Sequence, residues 1–357
     1  MIKNLPVLQS VSAFCHLPFT KLICNGEGYV SMCCYQVSQL GSIFDNELID
    51  LWNSPKAQEI RSQTLQGELH GYCSSWNVCP YLVQDKIPYP FDTHKDFKFP
   101  TWIEINLPES HCNVGGENPT DENPACIMCI RNHRVLKLED KTEFICSKVK
   151  PILPWLKSLC VLGIAEPFWK NKLFEVLKWL DFAPYKHKIR FFTHTNATLL
   201  TPRVLDQFFD AIRLSDLSFS IDAATAETFV KIRRLDAYDL VIKNIKNYMQ
   251  HLSNNNIRHK HQTKIYNNIN LLNVSEMEQM VQTAADLEVD QIWMLPTHNQ
   301  IGLVTLDELT INKKNVHIFA RNAEKAKIKA EQLGVTLYLV QSFDTPPPVL
   351  EDHVYNP

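Results

Sequence analysis

The sequence has no long apolar stretch and no large excess of one charge. No window in its 357 residues approaches the roughly 18 apolar residues that a membrane-spanning helix requires. The N-terminal segment is interrupted by Pro6 and Gln9 and has no apolar region of the kind found in secretory signals. Its 36 basic and 39 acidic residues give a net charge of −3, which provides no field for holding a phosphate backbone. These absences predict a cytoplasmic protein that binds neither a membrane nor nucleic acid.

The chain does contain 11 cysteines. Because the cytoplasm keeps thiols reduced, metal binding explains them better than disulfides do. Cys112, Cys126 and Cys129 follow an apolar, strand-like run at 102–107. The Cys126-x2-Cys129 pair alone is equally typical of half of a zinc site. Three thiolates also suit a four-iron, four-sulfur cluster, since they leave one iron open to a further ligand.

From about residue 99 the chain alternates strand and helix patterns, which is typical of a parallel sheet covered by crossover helices. Apolar residues at helical spacing predict helices at 171–182 and 275–287. A further helix at 314–333 and a strand at 335–340 follow, before a Pro-rich tail. The six strands predicted before residue 300 are 101–107, 158–163, 188–193, 217–222, 262–270 and 291–295.

Polar motifs stand where three of these strands end, and that edge of a parallel sheet is where ligands bind. The motifs are 163–167 after the second strand, 195–198 after the third and 220–222 after the fourth, and Arg233 lies near the end of the next helix. Each residue also has a plain structural interpretation. These alternatives are a helix N-terminal charge for Glu166, a turn for Asn196, an N-cap for Asp222 and a solvated helix face for Arg233.

In this order, and with the upstream cysteines, the motifs resemble the radical S-adenosylmethionine (SAM) superfamily over roughly residues 99–300. The resemblance implies a partial (β/α)6 TIM-type barrel in which the three cysteines hold a 4Fe-4S cluster and the strand ends bind SAM. Glu166 would then meet the SAM ammonium group and Arg233 its carboxylate, a bidentate role that suits guanidinium. The implied SAM-binding residues are Met128, Gly163, Ala165, Glu166, Pro167, Asn196, Ser220, Asp222 and Arg233.

Two features depart from the pattern of that superfamily. Thirteen residues separate Cys112 from Cys126, where the superfamily usually has three. The intervening segment 113–125 is rich in turn formers, so we expect it to loop out and leave the two cysteines adjacent. Met128 stands where the superfamily usually places an aromatic residue against adenine, and its thioether can pack on a ring.

The first hundred residues carry a second cysteine set. Segment 15–33 predicts a hairpin with a glycine-bearing turn, and 47–61 predicts a helix. With the Leu-Gly-x-Ile run at 40–43, they strongly resemble the SPASM module, an auxiliary-cluster domain of radical SAM peptide-modifying enzymes. The resemblance implies a second, auxiliary 4Fe-4S cluster, and a structural zinc site on the same residues is the alternative. The implied ligands are Cys15, Cys33, Cys73 and Cys79, with Cys24 and Cys34 beside them as possible replacements.

The predicted organisation is a SPASM-like domain at 1–98, a radical SAM barrel at 99–300 and a C-terminal extension at 301–357. The resemblance implies reductive cleavage of SAM to a 5′-deoxyadenosyl radical, which abstracts hydrogen from a ribosomally made peptide or protein during crosslinking, epimerisation or oxidation. It also implies an electron donor such as flavodoxin or ferredoxin. The alternatives are a dehydrogenase of a carbohydrate or aminocyclitol, and a peptide-binding protein that keeps zinc or an iron–sulfur cluster but has lost catalysis.

Overall fold

The computed structural model describes residues 15–33, 39–66, 97–132, 139–297, 309–312 and 314–339. The strands in these residues are β1 (Lys21–Cys24), β2 (Tyr29–Ser31), β3 (Gln39–Ser42), β4 (Trp102–Asn106), β5 (Ser158–Leu162), β6 (Arg190–Thr195), β7 (Ser215–Ser220), β8 (His261–Ile269), β9 (Gln291–Pro296) and β10 (Thr336–Leu339). The α-helices are α1 (Leu17–Thr20), α2 (Leu48–Trp52), α3 (Pro55–Leu65), α4 (Thr142–Val149), α5 (Lys172–Trp179), α6 (Pro202–Ala211), α7 (Ala226–Arg233), α8 (Tyr238–Asn254), α9 (Met277–Asp286) and α10 (Val316–Leu333). None of these helices is long and apolar enough to cross a bilayer.

All ten strands join one sheet, in the order β10-β9-β8-β7-β6-β5-β4-β1-β2-β3. Strands β4 to β9 are the six predicted strands, and they run parallel as neighbours in chain order, with helices between them. The helix and strand predicted beyond residue 300 are also present, and β10 adds a parallel strand beside β9. The predicted fold class, a partial barrel of parallel strands with a small N-terminal module, is confirmed.

Alternation along the strands separates the two faces of the sheet. In β8 every second residue is buried, and the same period appears in β6 and β9. The buried set faces the helices and builds the core, with Phe191, Leu217, Phe219, Ile265 and Ile292 among its members. The opposite face is half-exposed and largely polar. We call it the concave face, because in a partial barrel it lines the interior.

The N-terminal segment joins the same sheet. The predicted hairpin is present as antiparallel β1 and β2, and its turn is held by Asn25 Oδ1, which accepts from the Tyr29 amide at 2.8 Å. Strand β1 then pairs in parallel with β4, a contact that the sequence did not predict. Lys21 Nζ lies 2.6 Å from Glu104 Oε2 across this junction, and both side chains are buried. The sheet therefore continues across the predicted domain boundary at residue 98, and the boundaries themselves stay a prediction.

Candidate functional site

The three cysteines of the candidate cluster site lie in the loop that follows β4. All three are half-buried and none forms a disulfide. The Cys129 amide donates to the Cys126 carbonyl at 2.8 Å, which closes a tight turn between these two residues. Burial, with the charge of Cys126 as a smaller contribution, raises the pKa of Cys112 to about 12 and that of Cys129 to about 11. Cys126 thus lies close enough to the other two thiols to interact with them electrostatically, and a bound metal would have to displace the protons of Cys112 and Cys129.

The long insert between Cys112 and Cys126 is closed at its base. Gly115 has a φ of +77°, and a Cβ atom placed there would lie 2.7 Å from the Ala125 amide nitrogen. Only glycine permits this crossing of the two ends of the insert. The two ends of the insert consequently lie next to each other.

Two residues that follow Cys129 hold the insert in this shape, and the sequence analysis missed both. The buried Arg131 donates to the carbonyls of Val114, at 2.9 Å, and Gly116. The Asn132 side chain accepts from the Ala125 amide at 2.9 Å. Arginine and asparagine after a cysteine pair carry no spacing signal of their own, so only the folded loop reveals their function.

Glu166 is buried, and protein donors already surround its carboxylate. Oε1 accepts from Thr195 Oγ1 at 2.7 Å and from the Phe168 amide at 3.3 Å, and Oε2 accepts from the Asn196 amide at 2.7 Å. Burial raises the pKa of Glu166 to about 7, although these donors act in the opposite direction. The backbone amide of Glu166 also donates to the His111 carbonyl at 2.7 Å, next to the first cysteine.

Asn196 connects the end of β6 to the cysteine loop. Its side-chain amide donates to Asn113 Oδ1 at 2.9 Å, and Asn113 in turn donates to Thr198 Oγ1 at 2.9 Å. The two asparagines therefore pair at the start of the insert. The sequence analysis placed Asn196 at the site but did not identify its partner.

Asp222 and Arg233 form a buried ion pair between the end of β7 and the end of α7. The Asp222 backbone has a φ of +61°, and its carboxylate accepts from the Asn268 amide at 2.6 Å. On its other side, Arg233 Nη1 lies 3.9 Å from Cys126 Sγ. The last of the three strand-end motifs thus also reaches the cysteine loop.

The remaining predicted SAM-binding residues lie around the same loop. Gly163 has a φ of +126°, and a Cβ atom there would lie 2.8 Å from the Leu107 carbonyl oxygen, so this close approach of β5 to β4 requires glycine. Met128 lies half-buried between the paired cysteines, Pro167 is buried, and Ala165 and Ser220 are half-buried.

Unpaired polar atoms at the C-terminal ends of the strands fit a polar ligand. Four buried polar atoms near the C-terminal ends of the strands have no hydrogen-bond partner within the described part of the chain, whereas most buried polar groups in proteins are paired. No group of three or more His, Cys, Asp or Glu side chains in that part of the chain has the arrangement of a single-ion site. The unpaired atoms are Asn106 Oδ1, Asn267 Nδ2, Asn270 Nδ2 and Thr297 Oγ1.

Only part of the predicted auxiliary ligand set can be located. Cys15 and Cys33 are half-buried at the two ends of segment 15–33, whereas Cys34, Cys73 and Cys79 lie outside the described residues. Cys24 is fully buried in the core of β1, and burial raises its pKa to about 12. The four-cysteine ligand set stays a prediction.

The concave face carries a group of side chains that the sequence analysis did not select. Rings from β6, β8, β9 and β10 follow one another across this face, with centroid distances of 5.2, 5.9 and 4.4 Å. Lys264 lies beside them and is 2.7 Å from the Asp216 carboxylate. The rings of β6, β8 and β9 stand at the non-buried positions of strands in which burial alternates, so strand alternation was the signal that could have found the group. The four rings are His194, Tyr266, Trp293 and Tyr338.

Comparison with known proteins identifies the N-terminal module. Residues 15–80 match the model of the SPASM family, described as an iron–sulfur cluster-binding domain, which confirms the predicted SPASM module. No curated protein matches the chain.

The chain is also similar to several solved structures. One is Streptococcus suis SuiB bound to the precursor peptide SuiA, at 15% identity and a TM-score of 0.45, covering 80% of this chain and 53% of that one. Another is a radical SAM methyltransferase from Sphaerobacter thermophilus, at 13% identity and a TM-score of 0.47, covering 66% and 64%. A third is native anSMEcpe with bound AdoMet, at 14% identity and a TM-score of 0.47, again covering 66% and 64%. The chain thus spans between half and two thirds of the length of these proteins.

Proposed function

We propose that this chain, which carries a SPASM iron–sulfur domain ahead of a parallel α/β sheet, is a radical SAM enzyme acting on a ribosomally made peptide or protein. One observation carries the proposal: the first two strand-end motifs make hydrogen bonds to the cysteine loop, and the third reaches the loop through the Asp222–Arg233 pair. Independent loops would have no reason to converge in this way on three thiols. The contacts are Glu166 with His111, Asn196 with Asn113, and Arg233 with Cys126.

In this proposal Cys112, Cys126 and Cys129 hold the cluster, which with SAM supplies a 5′-deoxyadenosyl radical when both are bound. Glu166 positions the turn after β6, because three protein donors already occupy its carboxylate. A carboxylate offers about four acceptor positions, so one remains for the SAM ammonium group. The Asn196–Asn113 pair fixes the start of the insert against that turn.

The concave face is the proposed place for the substrate. Tyr338 at the outer end of the ring series is 40% exposed, and His194 at the inner end is exposed to the interior of the partial barrel. A series of rings can pack against the aliphatic and aromatic side chains of a peptide. The SPASM domain supports the same substrate class, since the resemblance described above associates it with peptide-modifying enzymes.

His194 faces this substrate region as a neutral imidazole. Its ring is exposed to the interior, yet the surrounding strands restrict its hydration. Desolvation by the surrounding strands, followed by the charge of Lys264, lowers the pKa of His194 to about 4. A neutral ring can donate one hydrogen bond and accept another, so His194 can orient a peptide amide. A cytoplasmic location and a flavodoxin- or ferredoxin-type electron donor complete the proposal.

The test is anaerobic reconstitution followed by reduction in the presence of SAM. We expect the wild-type chain to release 5′-deoxyadenosine and the triple variant Cys112→Ala/Cys126→Ala/Cys129→Ala to release none. The variant should keep about half of the wild-type iron content, namely the iron of its SPASM domain. Cys146→Ala, which removes a buried core thiol outside the loop, is the matched control and should retain the activity. A wild-type protein that holds its loop cluster but yields no 5′-deoxyadenosine would refute the proposal.

A further inference from the structure

Arg233 occupies an unusual place for a residue at the end of a helix. Its guanidinium group is largely buried and lies between the fully buried Asp222 carboxylate and the Cys126 sulfur. One end of the guanidinium, Nη2, pairs with Asp222, and Nη1 lies 3.9 Å from Cys126 Sγ. The arginine therefore connects the end of β7 directly to one thiol of the candidate cluster site.

The backbone next to Arg233 holds the same part of the loop. The carbonyl of Ile232 accepts a hydrogen bond from the Ile127 amide at 2.8 Å. Two consecutive residues of α7 thus contact two consecutive residues of the cysteine loop. Two adjacent contacts fix the direction of the Cys126 side chain as well as its position.

The charges of Arg233 and Asp222 would act on the reduction potential of a cluster bound to the loop. A cluster with three thiolate ligands becomes more negative when it gains an electron, and a nearby buried cation stabilises that reduced state. A hydrogen bond from N–H to a ligand sulfur acts in the same direction. Asp222 opposes both effects, since its negative charge lies on the far side of the guanidinium.

We propose that Arg233 is a positioning residue that aims the Cys126 ligand and raises the reduction potential of the loop cluster, with Asp222 setting the orientation of the guanidinium. This inference rests on the proposed function, because it requires a cluster on the loop. It gives Arg233 a contact with the cluster ligand in addition to the SAM carboxylate contact that the family resemblance implies.

The test is a redox titration of the full-length reconstituted protein without SAM or substrate, followed by electron paramagnetic resonance. Arg233→Gln removes the charge, and we expect the midpoint potential of the loop cluster to fall. Asp222→Asn keeps an acceptor for the Asn268 amide but turns an NH2 group towards Arg233, so the guanidinium loses its orientation and the electron paramagnetic resonance signal of the loop cluster should change. Arg233→Lys keeps the charge without the two-ended guanidinium and should give a potential between wild type and Arg233→Gln.

The controls separate this inference from the proposed function. Arg234→Gln removes the neighbouring, exposed arginine and should leave the potential unchanged, and the auxiliary cluster serves as an internal standard in every variant. A potential of Arg233→Gln that matches or exceeds wild type, or a signal of Asp222→Asn identical to wild type, would overturn the inference while leaving the proposed function intact. A wild-type loop that binds no iron would instead refute the proposed function and, with it, this inference.

Discussion

Replacing Glu166 with glutamine should remove a pH dependence from the stability of the protein. Glu166 is only 1% exposed, and its pKa in the folded chain is about 7, against an ordinary value of 4.5. At pH values between about 4.5 and 7, Glu166 holds a proton in the folded state that it has released in the unfolded state. Stability therefore falls as the pH rises from about 4.5 to about 7 and is constant with respect to this group above that range.

The size of the effect follows from the difference of about 2.5 pKa units. At about 1.4 kcal/mol for each unit, Glu166 should lower the free energy of unfolding by about 3 kcal/mol across this interval. Glutamine is neutral throughout and should show no such loss. Its different hydrogen bonds to Thr195 and Asn196 add an offset that is independent of pH, so the slope is the diagnostic quantity.

The assay is urea unfolding of the metal-free, reduced chain at several pH values between 4.5 and 8. The difference in unfolding free energy between Glu166→Gln and wild type should grow by about 3 kcal/mol in favour of the variant as the pH rises. Thr195→Val removes a donor that lowers the pKa of Glu166, so it should extend the loss of stability to higher pH. Parallel curves for wild type and Glu166→Gln would show that this carboxyl group is not held protonated in the folded chain.

Two further predictions concern the loop and the domain junction. Gly115→Ala should destabilise the folded loop and lower its iron content, because backbone strain of about 1–2 kcal/mol adds to the clash with Ala125. Gly116 has a similar φ but no close contact, so Gly116→Ala should show the backbone strain alone. Equal effects of the two changes would contradict the crossing of the two ends of the insert. Lys21→Met should destabilise the chain by about 3–5 kcal/mol in chemical unfolding, because the buried Glu104 carboxylate loses its ion-pair partner. Adding Glu104→Gln should restore part of that loss. An unchanged unfolding free energy in Lys21→Met would contradict a stabilising role of the buried pair.

The fold was more predictable than the connections within the site. Alternating strand and helix patterns located β4 to β9, because each pattern depends only on nearby residues. The pairing of β1 with β4 depends on contacts between residues about 80 positions apart, and the sequence pattern carries no record of them. The motif residues Glu166 and Asn196 were found from their position at strand ends and from the resemblance.

The partners of those residues could not be predicted in the same way. Asn113 looked like one turn former among many in the insert, yet it pairs with Asn196 in the folded chain. Arg131 stood outside every recognised motif, although it holds the start of the insert. Both functions arise from where the loop folds back, and loop geometry depends on contacts with the sheet rather than on local spacing.

The pairing of β1 with β4 limits how the protein can be divided. If residues before about 100 were removed, β4 would lose the strand beside it and present a row of free backbone amides and carbonyls along an apolar strand. Exposed edges of this kind recruit other chains and promote aggregation. A truncated barrel would then fail for reasons unrelated to its chemistry. The contribution of the SPASM module is therefore better measured with point substitutions in the intact chain than with an isolated barrel.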